Sequence, residues 1–238
     1  MARNETATRT PRRQRRERGS ITAEEIVEAA YGLAAEISVE KLSMPALARR
    51  LDSGVTSLYW YFRSKEQLLE AMRDRALEHY EIALPFTGDG AWHERLRHHF
   101  LQMRALFRDN PVLCDLLIMP TAHGVYDGNG NVGRVTYQRL ETIVGTLVQA
   151  GFTRKDALDT YYSMSMHSCG FAMLERREGL AAATRDTSAG PPVDRESMPN
   201  LAGLLEEGYR LTLIQDHIFE IGLDALLDKA RKTLARSG

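Results

Sequence analysis

Cysteine is scarce: Cys114 and Cys169 are the only two in 238 residues, too few for a disulfide scaffold. No apolar run approaches the ~18 residues that would suggest a membrane span. The basic N-terminus leads into Ser20-Ile21-Thr22-Ala23-Glu24-Glu25, polar where a secretory signal needs an apolar stretch. These absences point to a cytoplasmic protein without a membrane partner. Net charge is also nearly absent, with 31 Lys plus Arg against 32 Asp plus Glu, or −1. By itself that sum argues against a nucleic-acid partner. What is present is an ordinary folding composition, 43% hydrophobic and 26% charged, on a chain long enough for one or two domains with a sizeable core.

The neutral sum hides an asymmetry. Residues 1–20 carry seven arginines against Glu5 and Glu17, a local charge of +5, while the other 218 residues hold 24 basic and 30 acidic side chains, −6. With no apolar periodicity, such an arm is expected to be disordered alone. Two readings stay open for it: a solubilising tail, or a segment that follows a polyanion.

From Ile21 the pattern turns helical. Thr22 and Glu25 make a capping box, with Ile21 and Ile26 placed as a hydrophobic staple. Ile26, Ala29, Ala30, Leu33 and Ile37 then repeat at three-to-four spacing, one face of an amphipathic helix. Ser43 can cap a second helix, in whose first turn Pro45 is tolerated. Asp52-Ser53-Gly54 reads as a tight turn, Val55 to Phe62 as a short third helix, and Ser64 with Gln67 as the box opening a long fourth helix to about Leu84. Two short helices joined by a three-residue turn containing Gly form a helix-turn-helix, about 43–62 here, whose second member enters the major groove. Leu47, Leu51, Leu58 and Phe62 can face inward, which leaves Val55, Thr56, Ser57, Trp60 and Tyr61 with little core to fill. Exposed aromatic groups on a short helix are costly for an idle surface, and a nucleic-acid surface accounts for them better.

Pro85, Gly88 and Gly90 mark a change of unit. Helical segments follow at about 91–109, 111–119, 132–150, 154–177 and 213–235, and residues 179–199, rich in Gly and Pro, read as a mobile loop. The pattern contains no internal repeat and no convincing strand.

The segment Leu47-Ala48-Arg49-Arg50-Leu51-Asp52-Ser53-Gly54-Val55-Thr56-Ser57-Leu58-Tyr59-Trp60-Tyr61-Phe62-Arg63-Ser64-Lys65 resembles the helix-turn-helix of tetracycline-repressor (TetR) family transcriptional regulators. The specific marks are Leu58-Tyr59 before an aromatic pair, then Ser64-Lys65 with Leu68-Leu69. The family's usual turn glycine falls at Asp52, with Gly54 two residues on. Ala91-Trp92, Gly151-Phe152-Thr153 before Ala157, Gly170-Phe171 and Phe219-Glu220-Ile221-Gly222-Leu223 resemble the family's C-terminal domain. The resemblance implies an all-α protein: a three-helix DNA-binding head over 21–84, joined by a long fourth helix to a ligand-binding and dimerisation domain over 85–238. It also implies that Tyr59, Lys65 and the cap residue Ser43 hold phosphates. Lys65 opens a helix, where free N–H groups and the dipole favour an anion. Base contacts are then expected from Gly54, Val55, Thr56, Ser57, Trp60 and Tyr61. None is Arg, Asn or Gln, the side chains that make two-pronged base contacts. Specificity is therefore expected to lean on thymine methyls, on DNA shape, and on the arm, with Arg12, Arg13, Arg15 and Arg16 entering an adjacent minor groove.

Several motifs with chemical overtones fall short. His93-Glu94 with His98 and His99 departs from H-E-x-x-H at Arg97, and His93 and His98 stand about 140° apart around a helix. Residues 128–133 fit G-x-G-x-x-G without the required strand. Asp127, Asn129 and Asn131 start like a calcium loop that Val132 and Gln138 do not complete. Cys114 and Cys169 read as buried structural thiols, with redox sensing as the alternative. No metal, cofactor or catalytic residue is expected.

Residues 158–174 are apolar nearly all round, as is the last helix with Ile218, Phe219, Ile221, Leu223, Leu226 and Leu227. A helix apolar on all sides must be buried on all sides. Segments 154–177 and 213–235 are thus expected to form a homodimer interface, with packing inside a monomer as the alternative. His99, Met103, Phe107, Tyr137, Met164, His167 and Phe171 form a candidate pocket for a large, flat, hydrophobic or aromatic effector, since Met adapts to irregular shapes and a few polar groups orient a ligand. Plain core packing is the alternative for each. The expected activity is binding to a palindromic double-stranded operator, with release by the effector. Constitutive DNA binding and a helical enzyme for a small aromatic substrate are the rivals.

Overall fold

The computed structural model describes residues 21–79, 90–118, 130–182 and 192–237. The arm with Arg12, Arg13, Arg15 and Arg16 lies outside the described residues, as do 80–89, 119–129 and 183–191. Among the described residues there are ten helices and no strand. The chain divides into two compact units, Met1–Met72 and Arg73–Gly238. The all-α expectation holds.

In the first unit α1 (Ala23–Ile37), α2 (Met44–Arg50), α3 (Val55–Tyr61) and the start of α4 (Lys65–His79) enclose a small core. The Thr22 box forms: Glu25 N donates to Thr22 Oγ1 (3.1 Å) and Thr22 N to Glu25 Oε2 (2.9 Å). Ser43 caps α2 through Ala46 N (3.4 Å). At α4, Gln67 N donates to Ser64 Oγ (3.3 Å), but the Gln67 side chain accepts from Arg63 N (2.8 Å), one residue before the position of a standard box. Ile26, Ala30, Leu47, Leu58, Leu68 and Met72 are fully buried. Two joints of this unit put ordinary side chains in left-handed backbone: Ser38, which ends α1, has φ 77°, and Asp52 has φ 50°. Gly54 has φ −79°. The turn's positive φ therefore falls on Asp52, in the small group of residues that tolerate it, and the freedom of Gly54 is unused.

The second unit contains α5 (Trp92–Asp109), α6 (Pro111–Leu117), α7 (Gly130–Gln149), the 29-residue α8 (Arg154–Ala182), α9 (Pro199–Glu206) and α10 (Asp216–Ser237). Leu96 and Phe100 of α5, Ile143 and Leu147 of α7, Ala157 and Met164 of α8, and Phe219, Leu223 and Leu227 of α10 make its core, closed by Phe152. The stripe at 96, 100, 103 and 107 of α5 is the 3.6-residue spacing that buries one face. Among the described residues no helix is long and apolar enough to cross a membrane.

Candidate DNA-binding head and ligand-binding domain

The turn sets the exposure of α3. Leu51 N donates to Leu47 O and Ser53 N to Ala48 O, which closes α2, and four residues separate its end from the start of α3. Leu58 and Phe62 then point into the core, and the opposite face emerges with Thr56 exposed, Tyr59 45% exposed and Trp60 77% exposed. Gly54, Val55 and Ser57 are half-buried along the helix start. Trp60 and Tyr61 meet edge to face at 4.7 Å. Tyr61 also braces the head, because its hydroxyl donates to Ile21 O (2.6 Å) and ties α3 to the entry of α1. Lys65 Nζ donates to Glu40 O (2.9 Å), which sets the ammonium beside the α1–α2 loop with two of its three donors left over. Ser43 is occupied as a cap.

The seven residues expected to line a pocket divide in the second unit. Met164 is wholly within the core, with Met103 and Phe171 packed against it. His99 is buried, its ring 4.9 Å from Phe100 and 6.2 Å from Tyr161. Phe107 is buried on the same helix. His167 stacks on Phe219 at 5.0 Å, and its Nε2 is 2.9 Å from Phe219 O. Phe171 meets both rings edge-on. Tyr137 is apart, 52% exposed. A groove of about 120 Å³ between α8 and α10 is lined by Asp156, Asp159, Thr160, Ser163, Leu226, Lys229, Ala230 and Thr233, and includes none of the seven.

A buried charge cluster that local spacing does not reveal stands beside them. Arg104 donates through Nε (3.0 Å) and Nη2 (2.6 Å) to Glu175 Oε1, reaches Asp216 at 2.9 Å, and lies over the Phe219 ring at 4.4 Å. Arg176 pairs fork to fork with Asp115, both contacts 2.7 Å. These pairs join α5 to α8 and α10, and α8 to α6. The one signal in the sequence is Arg104 itself, a charge on the stripe of Leu96, Phe100 and Phe107. Cys114 Sγ donates to Ala172 O (3.6 Å), and burial, seconded by Asp115, pushes its pKa up to about 12. Burial also raises the Cys169 thiol. Neither has the thiolate character of a reactive cysteine. Among the described residues no group of three or more His, Cys, Asp or Glu side chains could hold a metal ion.

A short helix presenting aromatic and small side chains after a tight turn, in a three-helix head followed by a helical domain, defines a helix-turn-helix transcriptional regulator. A family model described as bacterial regulatory proteins, tetR family, matches residues 26–72, and one described as the tetracyclin repressor-like C-terminal domain matches 84–233. A helix-turn-helix transcriptional repressor of Mycobacterium tuberculosis is 40% identical over 230 residues, covering 95% of this chain and 86% of that protein. The class D tetracycline repressor of Escherichia coli is 27% identical, over 87% of this chain and 88% of its own. A solved structure of a possible TetR family regulator from Streptomyces coelicolor has a TM-score of 0.66 at 26% identity, covering 89% of this chain and 99% of that one. The chain belongs to the tetR family of bacterial regulatory proteins.

Proposed function

We propose that the protein is a homodimeric, cytoplasmic repressor that binds a palindromic operator and leaves it when a small hydrophobic or aromatic effector binds. The observation that carries the DNA-binding half is the outward face of α3, where Thr56, Tyr59 and Trp60 project from a helix anchored by Leu58. In this reading Tyr59, Lys65 and Ser43 touch phosphates, and Gly54, Val55, Thr56, Ser57, Trp60 and Tyr61 face base edges. Arg12, Arg13, Arg15 and Arg16 follow a minor groove and supply the charge that α3 lacks. Similarity to a repressor at 40% identity supports the sign of regulation.

The domain limits are 21–84 for the head and 85–238 for ligand binding and dimerisation. Support for the dimer comes from Tyr162 and Met166 on α8, the latter 74% exposed, and from Ile221, 63% exposed on α10. Large apolar groups on two long helices are a surface that a second copy would cover. The effector would take the region of His99, Met103, Phe107, Tyr137, Met164, His167 and Phe171; similarity to a tetracycline repressor supports a small-molecule signal. The effector shifts operator affinity only by binding the two states of the repressor unequally. Selecting bound DNA from a random library with the full chain, then screening compounds for release, tests both halves. A palindromic consensus is expected; a dimer that keeps its operator in the presence of every compound that binds it would refute the switch.

A further inference from the structure

Tyr61 turns its polar end away from the face that α3 presents. Successive residues stand about 100° apart around a helix, so Thr56, Tyr59 and Trp60 share one side and Tyr61 lies on the flank. It is half-buried, and its hydroxyl donates to Ile21 O at 2.6 Å, a bond between residues 40 apart. Ile21 is 7% exposed, and the next residue, Thr22, is held by the capping box of α1. The chain thus enters the first unit at a fixed point beside the last turn of α3, fastened there by the hydroxyl of a residue of that helix. Charge changes sign across this point. Residues 21–72 carry five basic and eight acidic side chains, −3, whereas residues 1–20 carry +5. Of the five, Arg50 is paired with Glu36 (2.8 Å) and Lys65 is bonded to Glu40 O (2.9 Å), and α3 has no cation of its own. Reach along the chain is limited as well. Arg16 and Arg12 stand five and nine residues before Ile21, and an extended chain spans at most ~3.3–3.6 Å per residue, which gives them roughly 17 and 32 Å. One turn of DNA is roughly 34 Å, so the minor groove beside the major groove that holds α3 is about half a turn away, ~17 Å, and the one after it ~50 Å. From Ile21 the arginines can reach the nearer minor groove, and the further one is beyond them.

We propose that Tyr61, beyond the base contact given to its ring, is the positioning residue of the arm: its hydroxyl fixes Ile21 so that Arg12, Arg13, Arg15 and Arg16 enter the minor groove about half a turn from the bases that α3 faces. Each operator half-site then has two parts at a fixed spacing. One is read by α3, and the other is an A·T-rich stretch whose narrow minor groove draws arginine. Specificity thereby includes a distance as well as a sequence. This assignment rests on the reading of residues 1–20 as a DNA-binding arm.

The test uses the DNA that the full chain selects from a random library, titrated by fluorescence anisotropy with the parent, with Tyr61→Phe, with the chain lacking residues 2–18, and with both changes combined. Tyr61→Phe is expected to weaken the full chain about fivefold more than it weakens the shortened chain. Changing the A·T-rich stretch to G·C, or inserting base pairs between the two stretches, should weaken the parent more than it weakens Tyr61→Phe. Equal weakening by Tyr61→Phe with and without the arm would make Tyr61 only a brace of the head and overturns the assignment, as does a parent indifferent to the inserted base pairs. A shortened chain that binds like the parent, with the same salt dependence, refutes the reading of the arm itself and the assignment with it.

Discussion

Replacing Gly222 with alanine should destabilise the second unit, although the same exchange in an exposed helix stabilises by about 1 kcal/mol. An added Cβ at 222 would lie 2.4 Å from His167 Cε1, 2.9 Å from Nε2 and 3.1 Å from Nδ1. His167 cannot give way cheaply, because its ring is stacked on Phe219, set against Phe171 and held by the 2.9 Å contact with Phe219 O. Overpacking of this kind costs roughly 1–3 kcal/mol, and losing the hydrogen bond adds about 1 kcal/mol. Against the propensity gain, the net loss is about 1–3 kcal/mol. Urea unfolding followed through Trp92, which packs on Phe152 at 4.9 Å, reads it in a Trp60→Phe background that silences the exposed indole of the head. With His167→Ala the obstacle is gone, and Gly222→Ala should become neutral or stabilising, a coupling of about 2 kcal/mol. If Gly222→Ala raised the midpoint with His167 present, the steric reasoning would be wrong.

Other outcomes follow from the same geometry. Ser38→Gly relieves a backbone conformation with φ 77° and ψ 157° that is essentially confined to glycine, and should stabilise the head by about 1–3 kcal/mol in thermal melts. Ser53→Ala removes a buried hydroxyl without a partner and should add about 1 kcal/mol by the same measurement; a lowered midpoint in either variant contradicts the assignment. Cys114, with its pKa moved from 9.0 to about 12, should react with a thiol-disulfide reagent at pH 8 about a thousandfold more slowly in the native protein than after unfolding. Deleting residues 2–18 should weaken operator binding and flatten its salt dependence by several units of slope, whereas Lys65→Ala should remove about one. An unchanged slope in the deletion would return the arm to a solubilising role.

The head is legible in the sequence because its signals are local. The Thr22–Glu25 box, the Ser43 cap and the three-to-four spacing from Ile26 each depend on residues within a turn of one another, and all three form as read. The turn is harder: Gly54 is the glycine of Asp52-Ser53-Gly54, yet the positive φ falls at Asp52, where the family's usual turn glycine would stand. Helix α9 leaves little trace in the pattern because it is only eight residues long and opens at Pro199, the last residue of the stretch that reads as loop. Arg104, Asp115, Glu175 and Arg176 are invisible as a cluster, since partners 61 or 71 residues apart leave no mark on local spacing. For the same reason His99, Met164 and Phe171 can be grouped in sequence, but their division between core and aromatic stack comes only from packing.

The unfavourable backbone at Ser38 and Asp52 and the unbonded Ser53 hydroxyl all fall in the first unit, at the joints between its helices. Each of these features lowers the free energy at which the segment that carries it opens. Operator DNA, which in the proposed reading binds only the closed head, raises that opening free energy in proportion to the logarithm of its concentration over Kd. In that reading lifetime and occupancy would be linked: molecules on DNA would persist and those released by an effector would be the ones removed, so the response to a signal would be sharpened by turnover as well as by affinity.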